Sequence, residues 1–290
     1  MVPDHVQQIR LSDYAYGLFP QIPTRKSLKK AIKRGEVYLN GEKGFSGHWV
    51  KGGYRIDLVD LDRPPPRIYP QKLEIIYQDA AIALINKPGG IPVSGNRFRT
   101  IQNALLYNLA PSNGEDALLV PKPVHRLDAP TFGLLLIAKT VKARIELGRQ
   151  LEARQILKRY QALVSGLIPS EGFWIKEPVG GKPAHTFVEL IRSVPSLKSG
   201  HISLVDLSPK TGRTHQLRIH MAGFGNPILG DKLYTEGQPL LKGKGLFLAA
   251  TQLTFTHPLN GEKLEFVIDP PNKFARRLTM EGRRWGKYKI

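Results

Sequence analysis

The chain contains no cysteine, which removes disulfides, thiolate zinc sites and a cysteine nucleophile together. No apolar stretch approaches the roughly 18 residues that a membrane span needs, and Met1 to Gln8 lack the apolar core of a secretion signal. Neither a glycine-rich phosphate loop nor a dinucleotide fingerprint occurs, and there is no His-Glu-x-x-His pair to hold a metal. Internal repeats and low-complexity segments are missing too. Acid is scarce: 24 acidic residues face 43 lysines and arginines, leaving a formal net charge of +19. A field of that sign concentrates polyanions and speeds their encounter. Nucleic acid is the expected partner, an acidic membrane surface the competing one, and the cytoplasm the expected compartment.

The clearest break is Asp62-Arg63-Pro64-Pro65-Pro66-Arg67, whose successive prolines favour an extended, stiff connector. It divides the chain into a small domain, 1–62, a proline-rich linker, 63–67, and a larger domain, 68–290. In the small domain the spacing of Leu28, Ala31 and Ile32 predicts a helix over Arg25–Arg34, with Gly35 placed to end it. Lys26, Lys29, Lys30 and Lys33 share another face with no acid among them, so phosphate contact is a better reading than a solvated face. A strand over 36–39, a tight turn at Asn40-Gly41 and a second strand over 54–59 are expected to follow. This pattern resembles the αL RNA-binding domain, named after a small-subunit ribosomal protein. The match lies in the basic helix, Gly35-Glu36-Val37, Asn40-Gly41 and Gly53-Tyr54-Arg55-Ile56, with Tyr54 where that domain usually has Asp. The resemblance implies a small α/β RNA-binding domain whose four lysines face RNA.

In the larger domain, strands are predicted over 73–77, 81–85, 134–138, 160–164, 201–207 and 263–268, and helices over 101–109, 141–153 and 214–224. The order is not a regular βαβ alternation, so the predicted class is α+β. Three segments carry candidate chemistry. His125-Arg126-Leu127-Asp128 follows Pro121 and Pro123, is expected to begin as a loop, and runs into the wholly apolar 134–138, too uniform for a half-exposed strand. A carboxylate near a guanidinium is favoured in its charged form, which suits a nucleophile or base. Asp128 as a turn cap, with Arg126 in a surface ion pair, fits the same local pattern. In Thr211-Gly212-Arg213-Thr214-His215-Gln216-Leu217-Arg218, Arg218 falls about one turn from Thr214. It meets Asp128 only if the fold joins the two segments; a basic surface helix is the alternative. In Lys158-Arg159-Tyr160-Gln161-Ala162, alternation puts Tyr160, Ala162 and Val164 on one strand face, as site or as plain core.

Together these segments closely resemble the RluA family of pseudouridine synthases, with further matches at Asn86-Lys87-Pro88-Gly89-Gly90 and Gly230-Asp231-Lys232-Leu233-Tyr234. Phe132 replaces the family's usual Ser, and Ala129-Pro130 a commonly basic pair; both departures put the substrate, more than the chemistry, in question. The resemblance implies a mixed, mainly antiparallel sheet with a central cleft, acting as a monomer without cofactor or metal. It implies isomerisation of uridines in RNA, with Asp128 as the essential carboxylate, Arg218 as its ion-pair partner and Tyr160 stacking on the flipped base. Arg126 is expected to enter the space the base leaves, and His125, Arg213 and His215 to shape the RNA cleft. Large-subunit ribosomal RNA is the expected target and tRNA the alternative.

His215 and His220, about 140° apart on a helix, make a poor metal pair. Two rival functions remain at this point. One is a non-enzymatic RNA-binding or ribosome-assembly protein; the other is a glycosidase, which needs paired carboxylates, and no second acid accompanies Asp128 in the motifs. The C-terminal run Arg283-Arg284-Trp285-Gly286-Lys287-Tyr288-Lys289 suits phosphate contact and stacking or a frayed basic tail.

Overall fold

The computed structural model describes residues 1–20, 22–58, 68–235 and 244–288. The expected linker 63–67, Val59 of the second small strand and Lys289 of the C-terminal run lie outside the described residues. Contacts divide the chain into two units, Met1–Arg67 with Asn113–Leu119, and Ile68–Ser112 with Val120–Ile290. Asn113–Leu119, which the proline-based division assigns to the larger domain, is thus gathered with the first unit.

In the first unit, β1 (Ile9–Arg10) and α1 (Leu11–Tyr14) precede α2 (Arg25–Arg34). Thr24 and Ser27 close a capping box at the start of α2, and Gly35 ends it at a φ of 75°. Then come β2 (Val37–Leu39), β3 (Glu42–Lys43), β4 (Trp49–Val50) and β5 (Ile56–Leu58). Asn40 and Gly41 both take positive φ, as the two-residue turn between β2 and β3 requires. Leu28, Ala31 and Ile32 join Leu11, Val37, Val50 and Ile56 in one buried cluster. Burial of that stripe holds α2, because a helix of this length is marginal alone. Arg25 and Arg34 are paired with Asp13 and Glu36, whereas Lys26, Lys29, Lys30 and Lys33 are exposed.

The second unit is built on a ten-stranded sheet. Its elements are β6 (Glu74–Gln78), β7 (Ile82–Lys87), α3 (Ile101–Asn108), β8 (Ala117–Pro123, which belongs to this unit from Val120 on), β9 (Phe132–Thr140), α4 (Val141–Glu152), β10 (Leu157–Ser165), β11 (Phe173–Ile175), β12 (Thr186–Ser196), β13 (Gly200–Pro209), α5 (Gln216–Gly223), β14 (Leu248–Thr256), β15 (Lys263–Val267) and α6 (Lys273–Tyr288). The sheet runs β11-β12-β13-β10-β14-β9-β7-β6, with β15 on β14 and β8 on β9. The β9–β14 pair is parallel, and the other registers are antiparallel. The α+β class and the mainly antiparallel sheet are as expected. The His125–Asp128 segment is a loop, as expected, and Pro121 and Pro123 before it lie within β8, an edge strand where a missing N–H is tolerated.

Alternation sorts the sheet into two faces. Leu135, Ile137, Tyr160, Ala162, Val164, Val205, Leu207, Leu248 and Ala250 point one way, with Ile101 and Leu105 of α3 and Leu217 and Met221 of α5. Leu163, Ile202, Leu204, Phe247 and Ala249 point the other way and carry Phe274 and Leu278 of α6. At the parallel join, Gly133 has a φ of +108°, and a Cβ there would stand 2.1 Å from the Ala250 carbonyl oxygen. A glycine is needed where β9 leaves the Asp128 loop.

Candidate active site

The loop between β8 and β9 places Asp128 on the face that carries Tyr160 and α5. Thr131 N–H donates to the Asp128 carbonyl at 3.0 Å, and Gly90 N–H to the Ala129 carbonyl at 2.7 Å. Lys87, fully buried, donates through Nζ to the carbonyls of Pro88 (2.8 Å), Ala129 (3.0 Å) and Thr131 (2.8 Å). Burial pulls its ammonium down to about 8, against the raising influence of Asp128. The loop is therefore gripped by its carbonyls while the Asp128 carboxylate is left for the cavity.

Arg218, 4% exposed, is no surface residue of a basic helix. Its Nε and Nη2 bind Asp231 at 2.6 and 2.8 Å, and Nη1 donates to Asp128 Oδ2 at 3.3 Å. One guanidinium thus spans two carboxylates, with the bidentate fork fixing its plane. Burial raises the Asp231 carboxyl, but the Arg218 hydrogen bonds, the Leu233 and Tyr234 N–H groups and the Arg218 charge outweigh it, and the net value lies below the ordinary range. The expectation that no second acid accompanies Asp128 is corrected: Asp231 shares its arginine. A carboxylate clamped on a buried guanidinium is nevertheless poorly placed to act as the free partner of a glycosidase pair.

His215 overturns the expected helix start at Thr214. It takes a φ of 57°, so α5 begins at Gln216. That left-handed turn brings its Nε2 to 3.8 Å from Asp128 Oδ1, while Nδ1 meets the Tyr234 hydroxyl at 2.9 Å. Tyr234 in turn stacks under Arg218, whose guanidinium carbon lies 5.1 Å from the ring centroid. Tyr160 is buried in β10, and burial, then the nearby Asp128 charge, push its phenol up. A register shift between Arg159 and Tyr160 on the β14 side marks this point of the strand.

A cavity of about 840 Å³ is lined by Asp128, Tyr160 and Arg218 together with His125, Arg126, Arg213 and His215. Its walls also hold Lys122 and Lys158, both lowered by burial. Arg126 is exposed at the lip. Arg213 is anchored by Nε on the Pro183 carbonyl at 3.1 Å. His125 accepts the Leu136 N–H at Nε2 (3.2 Å), and burial and Lys158 push it down to about 3, so it is a neutral prop for β9. The four lysines of α2 stand on the first unit. His220 bonds Thr186 and the Glu177 carbonyl inside the core, and among the described residues no His, Asp and Glu cluster fit for a metal occurs.

The two departures from the resemblance separate here. Phe132 does not bear on the cavity: its ring packs on the opposite face, 4.4 Å from Lys273 Nζ, and over Gly89, where a Cβ would come within 2.5 Å of it. Ala129 and Pro130 instead line an adjoining cavity of about 620 Å³ with Asp128, Arg218 and Asp231. Sequence reasoning gave no role to Asp231, Tyr234 or Lys87, although all three lie in stretches it singled out.

Replacing Lys87 by Met takes the Nζ donor from the Pro88 and Thr131 carbonyls and leaves Ala129 only its Gly90 N–H, which should cost about 2 kcal/mol or more in urea unfolding. Because the folded lysine releases its proton near 8 and an unfolded one near 10.5, the wild type should gain stability relative to this variant as pH rises through that window. A variant within about 0.5 kcal/mol of wild type would contradict the grip on the loop.

A family model for RNA pseudouridylate synthases matches residues 81–223. The chain is 32% identical over 312 residues to the ribosomal large subunit pseudouridine synthase D of Haemophilus influenzae, covering 96% of this chain and 92% of that one. It is 37% identical over 219 residues to the dual-specificity RNA pseudouridine synthase RluA of the same organism, covering 70% of this chain and 94% of that one. Among solved structures, human RNA pseudouridylate synthase domain containing 4 aligns with a TM-score of 0.56 at 26% identity, over 72% of this chain and 93% of that one.

Proposed function

Because the chain belongs to the RluA family of RNA pseudouridine synthases, we propose that it isomerises uridines of large-subunit ribosomal RNA, with Asp128, Arg218 and Tyr160 as its working residues. The observation that carries this reading is the meeting of all three in one cavity, with Arg218 at 3.3 Å from Asp128. The match to the large-subunit type extends over 96% of the chain, against 70% for the dual-specificity type, which supports ribosomal RNA over tRNA.

The reaction breaks the bond from ribose C1′ to uracil N1, turns the base and rejoins it through C5, whose proton is lost while N1 gains one. Nothing is oxidised or hydrolysed. A stacked uridine must first be extruded, at a cost of a few kcal/mol. Stacking on Tyr160 offsets about 1–3 kcal/mol of that, and Arg126 at the lip fills the vacated space. Asp128 attacks the sugar or base or removes a sugar proton, aimed in each case by Arg218. The raised phenol of Tyr160 favours its neutral form, so any part in C5 proton loss runs through a hydroxyl that passes its own proton on. The first unit acts as an RNA-binding domain through the exposed Lys26, Lys29, Lys30 and Lys33.

Pseudouridine mapping of total RNA from cells with and without the protein tests the target. Loss of modification at large-subunit uridines is expected; loss confined to tRNA would redirect the substrate, and no loss would refute the function. Changing the four α2 lysines to Gln should lower the salt slope of RNA binding by up to about 3–4, at roughly 0.9 per lost phosphate contact. An unchanged slope would remove that helix from the RNA surface.

A further inference from the structure

The C-terminal run is not a frayed tail: as far as Tyr288 it forms the end of α6. The helix buries Phe274 and Leu278 on the sheet, and Glu281 bonds Ser196 Oγ at 2.7 Å and pairs with Arg277 at 2.7 Å. Glu281 is the only acid of α6 and lies on this packed side. Arg276, Met280, Arg283 and Lys287 follow at i, i+4, i+7 and i+11, which forms one stripe at 3.6 residues per turn. All four are exposed, with Arg284 beside them.

The stripe is on the wrong side of the sheet to serve the cavity. Residues 162 and 164 of β10 share the Tyr160 face, whereas Leu163 shares the α6 face. The same alternation holds on β13, with Val205 against Leu204, and on β14, with Leu248 against Ala249. No residue of α6 lines either cavity. A sheet layer and a helix diameter, together roughly 20 Å, separate the two surfaces. Phe274 and Leu278 of α6 are covered by the sheet, and its exposed large apolar side chains are only Met280 and Tyr288, too few for the continuous apolar face that insertion into lipid needs.

We propose that Arg276, Arg283 and Lys287 form a second phosphate-contact surface, engaged by folded parts of the same RNA molecule whose uridine occupies the cavity. The proposal rests on the RNA-modifying reading above and adds a distal grip to it. An RNA that fills only the cavity never reaches α6, whereas a large folded RNA passing around the sheet edge does.

The full chain and its R276Q/R283Q/K287Q variant separate the possibilities, since glutamine keeps good helix propensity. Fluorescence anisotropy over a salt series would use an oligouridylate of about six nucleotides and a folded large-subunit transcript of about 100 nucleotides. For the transcript, affinity should fall at least about tenfold and the salt slope by about 2–3. The oligouridylate should bind unchanged. Unchanged transcript binding overturns the proposal, as does an equal loss for both probes, which would mean a general change of field. So does a loss confined to phosphatidylglycerol vesicles, which would assign the stripe to a membrane. Pseudouridine formation, assayed in parallel at saturating transcript, keeps the two readings apart. If neither protein makes pseudouridine but transcript binding still falls, the surface stands and the function fails; normal product with unchanged binding faults the surface alone.

Discussion

Asp128→Asn is expected to lower turnover at least about a thousandfold while leaving RNA affinity within about tenfold. The amide matches the carboxylate in shape but supplies neither its nucleophilicity nor its basicity. Arg218 keeps its bidentate pair with Asp231 in the variant, so the site should hold its form. Affinity should survive because phosphate contacts from cations dominate RNA binding, and Asp128 contributes none. Single-turnover release of tritium from C5 of labelled uridine, with binding measured on the same preparation, reads both quantities. Release near the wild-type rate would take the chemistry away from Asp128, and a collapse of affinity would give Asp128 a binding role instead.

Arg218→Met should lose both stability and activity. It strands Asp231, 1% exposed, as an uncompensated buried charge, and breaking such a pair costs about 3–5 kcal/mol. It also frees Asp128 from its aim, for an expected turnover loss of about 100-fold or more. The pH dependence has a definite sign. In the wild type the depressed Asp231 contributes stability above 3.8, its unfolded value, and loses it as pH falls through the lower folded value. In the variant the Arg218 hydrogen bonds and charge are gone and only the Leu233 and Tyr234 N–H groups still oppose burial, so that carboxyl rises and protonation relieves the stranded charge on acidification. The stability gap should therefore be wider at about pH 7 than at about pH 4. An equal gap at both would mean that lost packing, not charge, explains the cost.

Much of the scaffold was legible because its physical signals are local. The α2 stripe and its Gly35 stop predicted the observed Arg25–Arg34 span, and the apolar run at 134–138 marked the centre of β9. Elements without clean periodicity were missed. β12 sets exposed Glu189 and Arg192 among its apolar residues, and β14 follows Gly243-Lys244-Gly245 as an apolar run without alternation. α6 hid its packed side behind cations and two glycines. The site was half legible. Asp128, Tyr160 and Arg218 were named from their segments, but Asp128 and Arg218 are 90 positions apart and only the fold joins them. Asp231 carries no periodic or charge-run signal, and the left-handed turn of His215, a backbone conformation uncommon outside glycine even though histidine is among the residues enriched in it, has no sequence signature that fixes it. Lys87 reads as an exposed lysine until its three carbonyl partners are seen.

Digestion of a large-subunit ribosomal RNA transcript after incubation with purified protein, followed by mass spectrometry of nucleosides and free bases, asks whether this cavity isomerises uridine. Pseudouridine without free uracil from the wild type, and neither from Asp128→Asn, is the predicted outcome. Free uracil in place of pseudouridine, or pseudouridine in like yield from both proteins, would contradict it.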